Sequence, residues 1–165
     1  MMNSLEYIEE VSLMLALLMV SAFCSAAETA YSASNHQKIR EMCEAKKFGA
    51  KLAEKLLTRF DDALSSILIA NTIVCIALSS VGAVVFGEMV GNDECGAAVS
   101  GALLTVFILL FGEISPKLLA KESSEKTACF LAVPLYIMTL LTKPFCAMIS
   151  IWKSFLIKIL KLRNK

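Results

Sequence analysis

Hydrophobic residues in this chain fall into long continuous runs that are separated by short polar stretches. The first run covers residues 11–33, the second residues 63–85 and the third residues 97–115. Runs of about 19 to 23 residues are long enough to cross a hydrocarbon layer of about 30 Å as helices. The pattern predicts one domain over residues 1–165, an all-α integral membrane fold with three transmembrane helices.

Between the first two runs, over residues 36–60, basic side chains alternate with apolar ones. This alternation predicts one or two amphipathic helices lying on a membrane face, interrupted near Gly49. A charged helix surrounded by solvent is the alternative interpretation.

A second amphipathic segment is predicted over residues 127–162. Residues 128–142 are apolar but number only about 15 and contain Pro134, which is more typical of an interfacial or re-entrant segment than of a span. After Pro144 the pattern predicts an amphipathic helix at the inner interface, with Trp152 and several lysines facing it.

Composition agrees with a membrane protein, and the distribution of charge predicts its orientation. The 165 residues are 57% hydrophobic, against about 45–50% in a soluble domain, and the mean hydropathy is +0.68. None of the sixteen Lys and Arg residues precedes Lys38 or lies between Arg59 and Lys117, and the loop 86–96 is acidic. The positive-inside rule therefore predicts a multi-pass protein of the cytoplasmic membrane, with its N-terminus outside and its C-terminus cytosolic.

Two classes of function and site are disfavoured by composition. The basic residues flank apolar segments without interleaved aromatic residues, so we expect no nucleic-acid partner. The six cysteines match neither a zinc site nor a disulfide framework, and we interpret them as free thiols in packed helices.

Polar side chains lie at membrane depth in all three predicted spans. Ser21, Ser25 and Glu28 are spaced i, i+4, i+7 and so share one helical face, with small residues around them. Asn71 lies well inside the second span, and Glu113 lies near the end of the third. Such groups are costly in hydrocarbon, so we expect them to face protein, water or an ion.

The third span ends in an acid, a proline and a base. In an α-helix Pro116 leaves the carbonyl of Gly112 without its donor, beside Glu113. Carboxylate, amide, hydroxyl and carbonyl oxygens suit a hard cation such as Mg²⁺ or Ca²⁺. The alternative is a capped helix end with an i, i+4 pair of Glu113 and Lys117. A further alternative is that the polar residues only join helices by hydrogen bonds.

Three motifs resemble those of the CNNM/CorC transmembrane domain, also called DUF21. Residues 21–30 (SAFCSAAETA) look like the SxxFSGxETA opening of that family, residues 69–72 (IANT) its IGNT segment, and residues 111–117 (FGEISPK) its FGEIxPK signature. The motifs occur in the family's order, and the resemblance covers roughly residues 5–160. Ala26 replaces the usual glycine of the first motif.

The resemblance implies a homodimeric magnesium transporter, in which Na⁺-coupled export of Mg²⁺ has been proposed. It implies an ion pathway lined by Ser21, Ser25, Asn71, Gly112 and Glu113, and a belt of amphipathic juxtamembrane helices on the cytosolic side. Members usually continue into cytosolic paired CBS domains that bind adenine nucleotide. This sequence does not contain them, so nucleotide regulation is not assigned to these residues.

Supporting roles are predicted for Glu28, Pro116 and Lys117. Glu28 would hold the helix pair together or contribute to a Na⁺ site, and Lys117 would neutralise Glu113 when the ion leaves, an idea based on their i, i+4 spacing. The alternative function is an Mg²⁺-binding sensor or scaffold without transport of its own. An enzyme is not expected, because no His or Lys within the spans is placed to activate Ser21 or Ser25.

Overall fold

The computed structural model describes residues 4–90, 94–143 and 145, and the ordered elements within these ranges are all helical. Apolar runs without strand-like alternation form helices here because a helix satisfies its own backbone hydrogen bonds in hydrocarbon. The elements are α1 (Ser4–Ala33), α2 (His36–Glu44), α3 (Ala50–Thr58), α4 (Phe60–Val90), α5 (Glu94–Phe107), a π-helical segment (Ile108–Ile114), α6 (Ser115–Glu122) and α7 (Ser124–Leu141). The prediction of an all-α membrane protein is confirmed.

Four helical stretches of the described chain are long and apolar enough to cross a membrane. Three of them, Tyr7–Ala33, Phe60–Gly87 and Gly101–Glu122, contain most of the three predicted spans. The fourth is Ser124–Leu141, which we expected to be interfacial. Length and composition therefore support a multi-pass protein without fixing the number of crossings at three.

α7 makes its contacts at one end of the helical bundle. Near its start, the carbonyl of Ala128 accepts a hydrogen bond of 3.0 Å from the hydroxyl of Tyr31, close to the end of α1. Its last turns line a cavity together with Asp62 and Ser66, in the first turns of α4. Both ends of α7 thus lie beside the same end of the α1–α4 pair.

The predicted interruption near Gly49 is confirmed, and it separates α2 from α3. Gly49 has a φ of +72°, a left-handed conformation that favours glycine. A Cβ atom at this position would lie only 1.9 Å from the carbonyl oxygen of Cys129 in α7. Glycine therefore serves both the turn and the close approach of the α2–α3 connection to α7.

Two apolar clusters fill the described bundle, one at each end of α1. The smaller cluster contains Met14, Leu18, Leu78 and Leu104. The larger contains Cys24 and Tyr31 of α1 with residues of α2, α3, α4, α6 and α7. Ser21 lies between the two clusters along α1, so the buried hydroxyl occupies the boundary between two apolar layers.

Small residues let the helices approach one another within a single chain. Ala27 and Ala30 of α1, Ala120 of α6, and Ala128 and Ala132 of α7 are almost completely buried. Because these contacts are intramolecular, this small-residue stripe packs the helices of one protomer. Residues 144 and 146–165, which include the predicted helix around Trp152, lie outside the described residues, as do residues 91–93 of the acidic loop.

Candidate cation site at the α1–α4–π junction

The serine face of α1 is directed into the bundle. Ser21 and Ser25 are 0% and 1% exposed, and Met14 and Leu18 extend the same buried face toward the N-terminus. Spacings of three and four residues keep these side chains on one side of a helix. The sequence pattern thus placed both hydroxyls correctly in the interior.

A hydrogen bond joins the first predicted span to the second at this level. The Ser21 hydroxyl donates to Oδ1 of Asn71 over 3.2 Å. The sulfur of Cys75, one turn further along α4, lies 3.7 Å from the Ser21 oxygen and 3.9 Å from Oδ1 of Asn71. Asn71 therefore faces a partner helix, as its cost in hydrocarbon requires.

Gly112 brings the third span against Ser21. It is buried, and a Cβ atom built on it would lie 3.3 Å from both the Ser21 oxygen and Cδ1 of Leu18. These separations are tighter than ordinary van der Waals contact, so the glycine permits a close approach of the π-helical segment to α1. Ser21 consequently lies against both other predicted spans, beside Asn71 and Cys75 of the second and Gly112 of the third.

Part of the third span is a π-helix, whereas the sequence predicted a continuous α-helix. Residues Ile108–Ile114 are π-helical, and the N–H of Ser115 donates to the carbonyl of Leu110, five residues back. The next bond in this register would run from Pro116 to the Phe111 carbonyl, and proline cannot donate it. The π register thus moves the carbonyl that Pro116 leaves without a donor from Gly112 to Phe111.

Glu113 and Asn71 line the same groove. Its volume is about 690 Å³, and its other walls come from α4. They include Cys75 and Ser79, which follow Asn71 at successive steps of four residues. The carboxylate of the third span and the amide of the second therefore line one open groove along α4, and the buried Ser21 and Ser25 are not among its lining residues.

Lys117 pairs with α1 and not with Glu113. Its Nζ atom lies 2.9 Å from Oε2 of Glu28, and no ion pair with Glu113 occurs among the described residues. A spacing of i, i+4 aligns side chains only on an α-helix, and the π-helical segment, which includes Glu113, changes the turn angle. The prediction of a Glu113–Lys117 pair is therefore wrong. The idea that Lys117 neutralises Glu113 loses its geometric basis, because it rested on the same i, i+4 spacing.

Ser25 differs from Ser21 in having no hydrogen-bond partner among the described residues. Its hydroxyl oxygen is buried and makes no hydrogen bond within the described structure. It lies one turn from Ser21 and one turn from Glu28 along α1. A buried polar atom without a partner is costly, and a ligand at this position would satisfy it.

The donors at this junction are mostly neutral oxygens. Within the described ranges, no three His, Cys, Asp or Glu side chains come together where they could hold a metal ion. A cation bound here would therefore use hydroxyl, amide and backbone oxygens together with the Glu113 carboxylate, a hard-ligand set. The Glu28–Lys117 pair was not predicted from the sequence, because no spacing rule connects residues on separate helices.

Comparison with known proteins reveals relatives over almost the whole chain. Residues 12–165 match the family model described as the cyclin M (CNNM) transmembrane N-terminal domain. A UPF0053 protein of Haemophilus influenzae is 36% identical over 84% of this chain and 32% of its own length. The UPF0053 inner membrane protein YfjD of Escherichia coli is 35% identical over 72% of this chain and 28% of its own length.

A more distant relative comes from a plant. A chloroplastic DUF21 domain-containing protein of Arabidopsis thaliana is 30% identical over 98% of this chain and 24% of its own length. The chain thus spans a third or less of the length of these curated relatives. The match of the family model over residues 12–165, with these relatives, shows that the chain belongs to the cyclin M (CNNM) family and corresponds to its transmembrane N-terminal domain.

Proposed function

We propose that this domain moves Mg²⁺ across the cytoplasmic membrane, as export coupled to Na⁺, through the junction of α1, α4 and the π-helical segment. The observation that carries the proposal is the meeting of three spans at Ser21. Its hydroxyl donates to Asn71 and packs against Gly112, and Glu113 and Asn71 line one groove. The proposed ligands are Ser21, Ser25, Asn71 and Glu113. The backbone carbonyl of Gly112 is included on the basis of the family resemblance alone, because Pro116 leaves the Phe111 carbonyl without a donor in the π register.

The chemistry of the donors supports Mg²⁺ as the transported ion. One carboxylate among several neutral oxygens binds a hard divalent cation moderately, and transport requires an ion to leave as well as to enter. The buried oxygen of Ser25, which has no hydrogen-bond partner among the described residues, gives an ion a second position one turn from Ser21. Na⁺ as the coupling ion rests on the family resemblance alone.

Membrane placement follows from the basic end of the bundle. Lys38 pairs with Glu125 over 3.4 Å, Lys55 donates to Tyr136, and Lys117 pairs with Glu28, so these lysines lie at the end where α7 packs. We place this end in the cytosol by the positive-inside rule and the N-terminus outside.

α7 then belongs to a cytosolic belt together with α2 and α3. The contacts of both its ends with one end of the bundle support a helix that lies along the interface. A helix that crossed from this end would carry its last turns away from the start of α4.

The proposal also covers the oligomeric state and the further domains of the whole protein. We expect a homodimer in the lipid bilayer and cytosolic CBS domains in longer members, both on the basis of the family. No enzymatic step is proposed, because Ser21 contacts an amide and a thiol instead of a base.

Flux measurements test this function. The chain is reconstituted into liposomes, and Mg²⁺ movement is followed with an entrapped indicator, with and without a Na⁺ gradient. We expect Glu113→Gln and Asn71→Ala to abolish flux while gel filtration shows folded protein. Matched controls are Glu122→Gln and Thr105→Val, which remove a carboxylate and a hydroxyl at exposed positions outside the groove.

The outcomes separate the alternatives. Equal flux in all variants would contradict the site, and a Na⁺-independent rate would contradict the coupling. Absence of flux together with Mg²⁺-dependent thermal stabilisation that Glu113→Gln removes would favour a sensor or scaffold over a transporter. Loss of folding without any ion response would favour a purely structural role for the polar residues.

A further inference from the structure

A second cavity, away from the groove of Asn71, lies where α3, α4 and α7 meet. Its volume is about 420 Å³, and its polar wall is formed by Lys55 and Arg59 at the end of α3, Lys143 after α7, and the hydroxyl of Tyr136. None of these residues belongs to the proposed cation site. The cavity therefore needs an explanation of its own.

The charge of this cavity favours an anion. Three cationic side chains line it, and Asp62 is the one carboxylate among its lining residues. α4 also begins beside the cavity, but Asp61 and Asp62 in its first turn offset the positive potential of the helix N-terminus, so the positive charge of the cavity comes from the three cationic side chains. The cavity therefore has an excess of positive charge where the side chains of Lys55, Arg59 and Lys143 line it.

Lys55 is held in place at the mouth of the cavity. Its Nζ atom donates to the Tyr136 hydroxyl over 3.2 Å and lies 4.8 Å from the centre of the Tyr136 ring. A cation above an aromatic face is attracted by the ring, so the ammonium group has a fixed position with further donors available. The ammonium group can therefore donate a hydrogen bond to an acceptor that enters the cavity.

The other wall of the cavity is apolar and continues onto a lipid-like surface. Leu56, Ala63 and Leu140 contribute to the lining. Leu140 and its neighbours Ile137 and Leu141 are more than half exposed on α7. A ligand that matches both walls carries an anionic head and an apolar tail.

We infer that this cavity binds the phosphate group of an acidic phospholipid from the leaflet at the basic end of the bundle. The cations contact the phosphate, and the acyl chains follow the apolar face of α7. Acidic lipids of the cytosolic leaflet are attracted to clustered Lys and Arg residues at this depth. Bound lipid would hold α7 against α3 and α4. The inference does not depend on Mg²⁺ transport.

Native mass spectrometry of the purified chain tests the inference. The protein is incubated in detergent with equal amounts of phosphatidylglycerol and phosphatidylcholine, and retained lipid is counted. We expect the wild type to retain phosphatidylglycerol preferentially, and the preference to fall about fivefold for each cation removed in Lys55→Gln, Arg59→Gln and Lys143→Gln. The triple cavity variant combines these three substitutions. A control triple variant, with Arg40, Lys51 and Lys121 each replaced by Gln, has the same net charge and should behave as wild type.

Further arms define the results that overturn the inference. Equal retention in the cavity variant and its control would overturn it, and so would equal retention of the two lipids by the wild type. Displacement of phosphatidylglycerol by an equal concentration of glycerol 3-phosphate would assign the cavity to a soluble phosphate instead. Circular dichroism confirms folding, and the three single variants replace the triple variant if it does not fold.

Discussion

Lys117 of α6 and Glu28 of α1 form an ion pair with 2.9 Å between Nζ and Oε2. The pair lies one turn beyond Ser25 on α1, toward the basic end of the bundle. It connects the helix after Pro116 to the serine-bearing helix. It therefore joins two of the candidate membrane-spanning stretches close to the proposed ligands.

Removing either charge of this pair should destabilise the protein slightly. Side-chain exposures of 29% for Glu28 and 40% for Lys117 indicate a partly screened interaction. We expect Glu28→Gln and Lys117→Gln to interact in a double-mutant cycle by about 0.5–1 kcal/mol, measured by thermal unfolding in detergent. Arg40→Gln, in a fully solvated pair with Glu44, should change stability by less. Additive effects of the two substitutions would show that the pair contributes nothing.

Ser21→Ala and Ser25→Ala should have different effects on stability without Mg²⁺ and the same effect on stabilisation by Mg²⁺. Ser21→Ala removes a hydrogen bond to Asn71 and should cost about 0.5–1.5 kcal/mol. Ser25→Ala removes a buried oxygen that makes no hydrogen bond in the part of the chain that the structure describes, so stability without Mg²⁺ should stay the same or rise. Both substitutions should reduce Mg²⁺-dependent stabilisation in a thermal melt. A wild-type response to Mg²⁺ in Ser25→Ala would remove Ser25 from the ligand set.

Gly112→Ala should disturb the site more than the fold. The new methyl group would press on the Ser21 oxygen and Leu18, moving the hydroxyl away from its position between Asn71 and the third span. We expect a cost of about 1–3 kcal/mol and loss of Mg²⁺ flux in the folded fraction.

Gly101→Ala is the matched control for this substitution. Among the described residues, no atom outside the chain neighbours and backbone of its own helix lies within 4 Å of a Cβ atom at that position, so this variant should be neutral or more stable by about 0.5–1 kcal/mol. Unchanged flux in Gly112→Ala would contradict the close packing described for the site.

Gly49→Ala should be severely destabilising although it lies outside every apolar run. The methyl group would overlap the Cys129 carbonyl, and an L-residue is strained at a φ of +72°. We expect a loss of more than about 2 kcal/mol, seen as aggregation in gel filtration or a much lower melting temperature. Near-wild-type behaviour would mean that the α2–α3 connection is free to separate from α7.

Hydrophobic length, charge distribution and helical periodicity were readable from the sequence alone. They predicted the all-α membrane fold, the break near Gly49 and the inward face that carries Ser21 and Ser25. Each of these depends on the order of residues along one segment. The three motifs also identified the family, because each is a short continuous stretch whose residues keep their spacing.

Tertiary structure decided which residues meet across helices. Lys117 forms an ion pair with Glu28 and not with Glu113. Residues 108–114 form a π-helix, and Ser21 donates a hydrogen bond to Asn71. It also placed both ends of α7 beside one end of the bundle. Such choices depend on the distance and rotation between separate helices, which arise only when the apolar faces pack, so no pattern along the chain contains them.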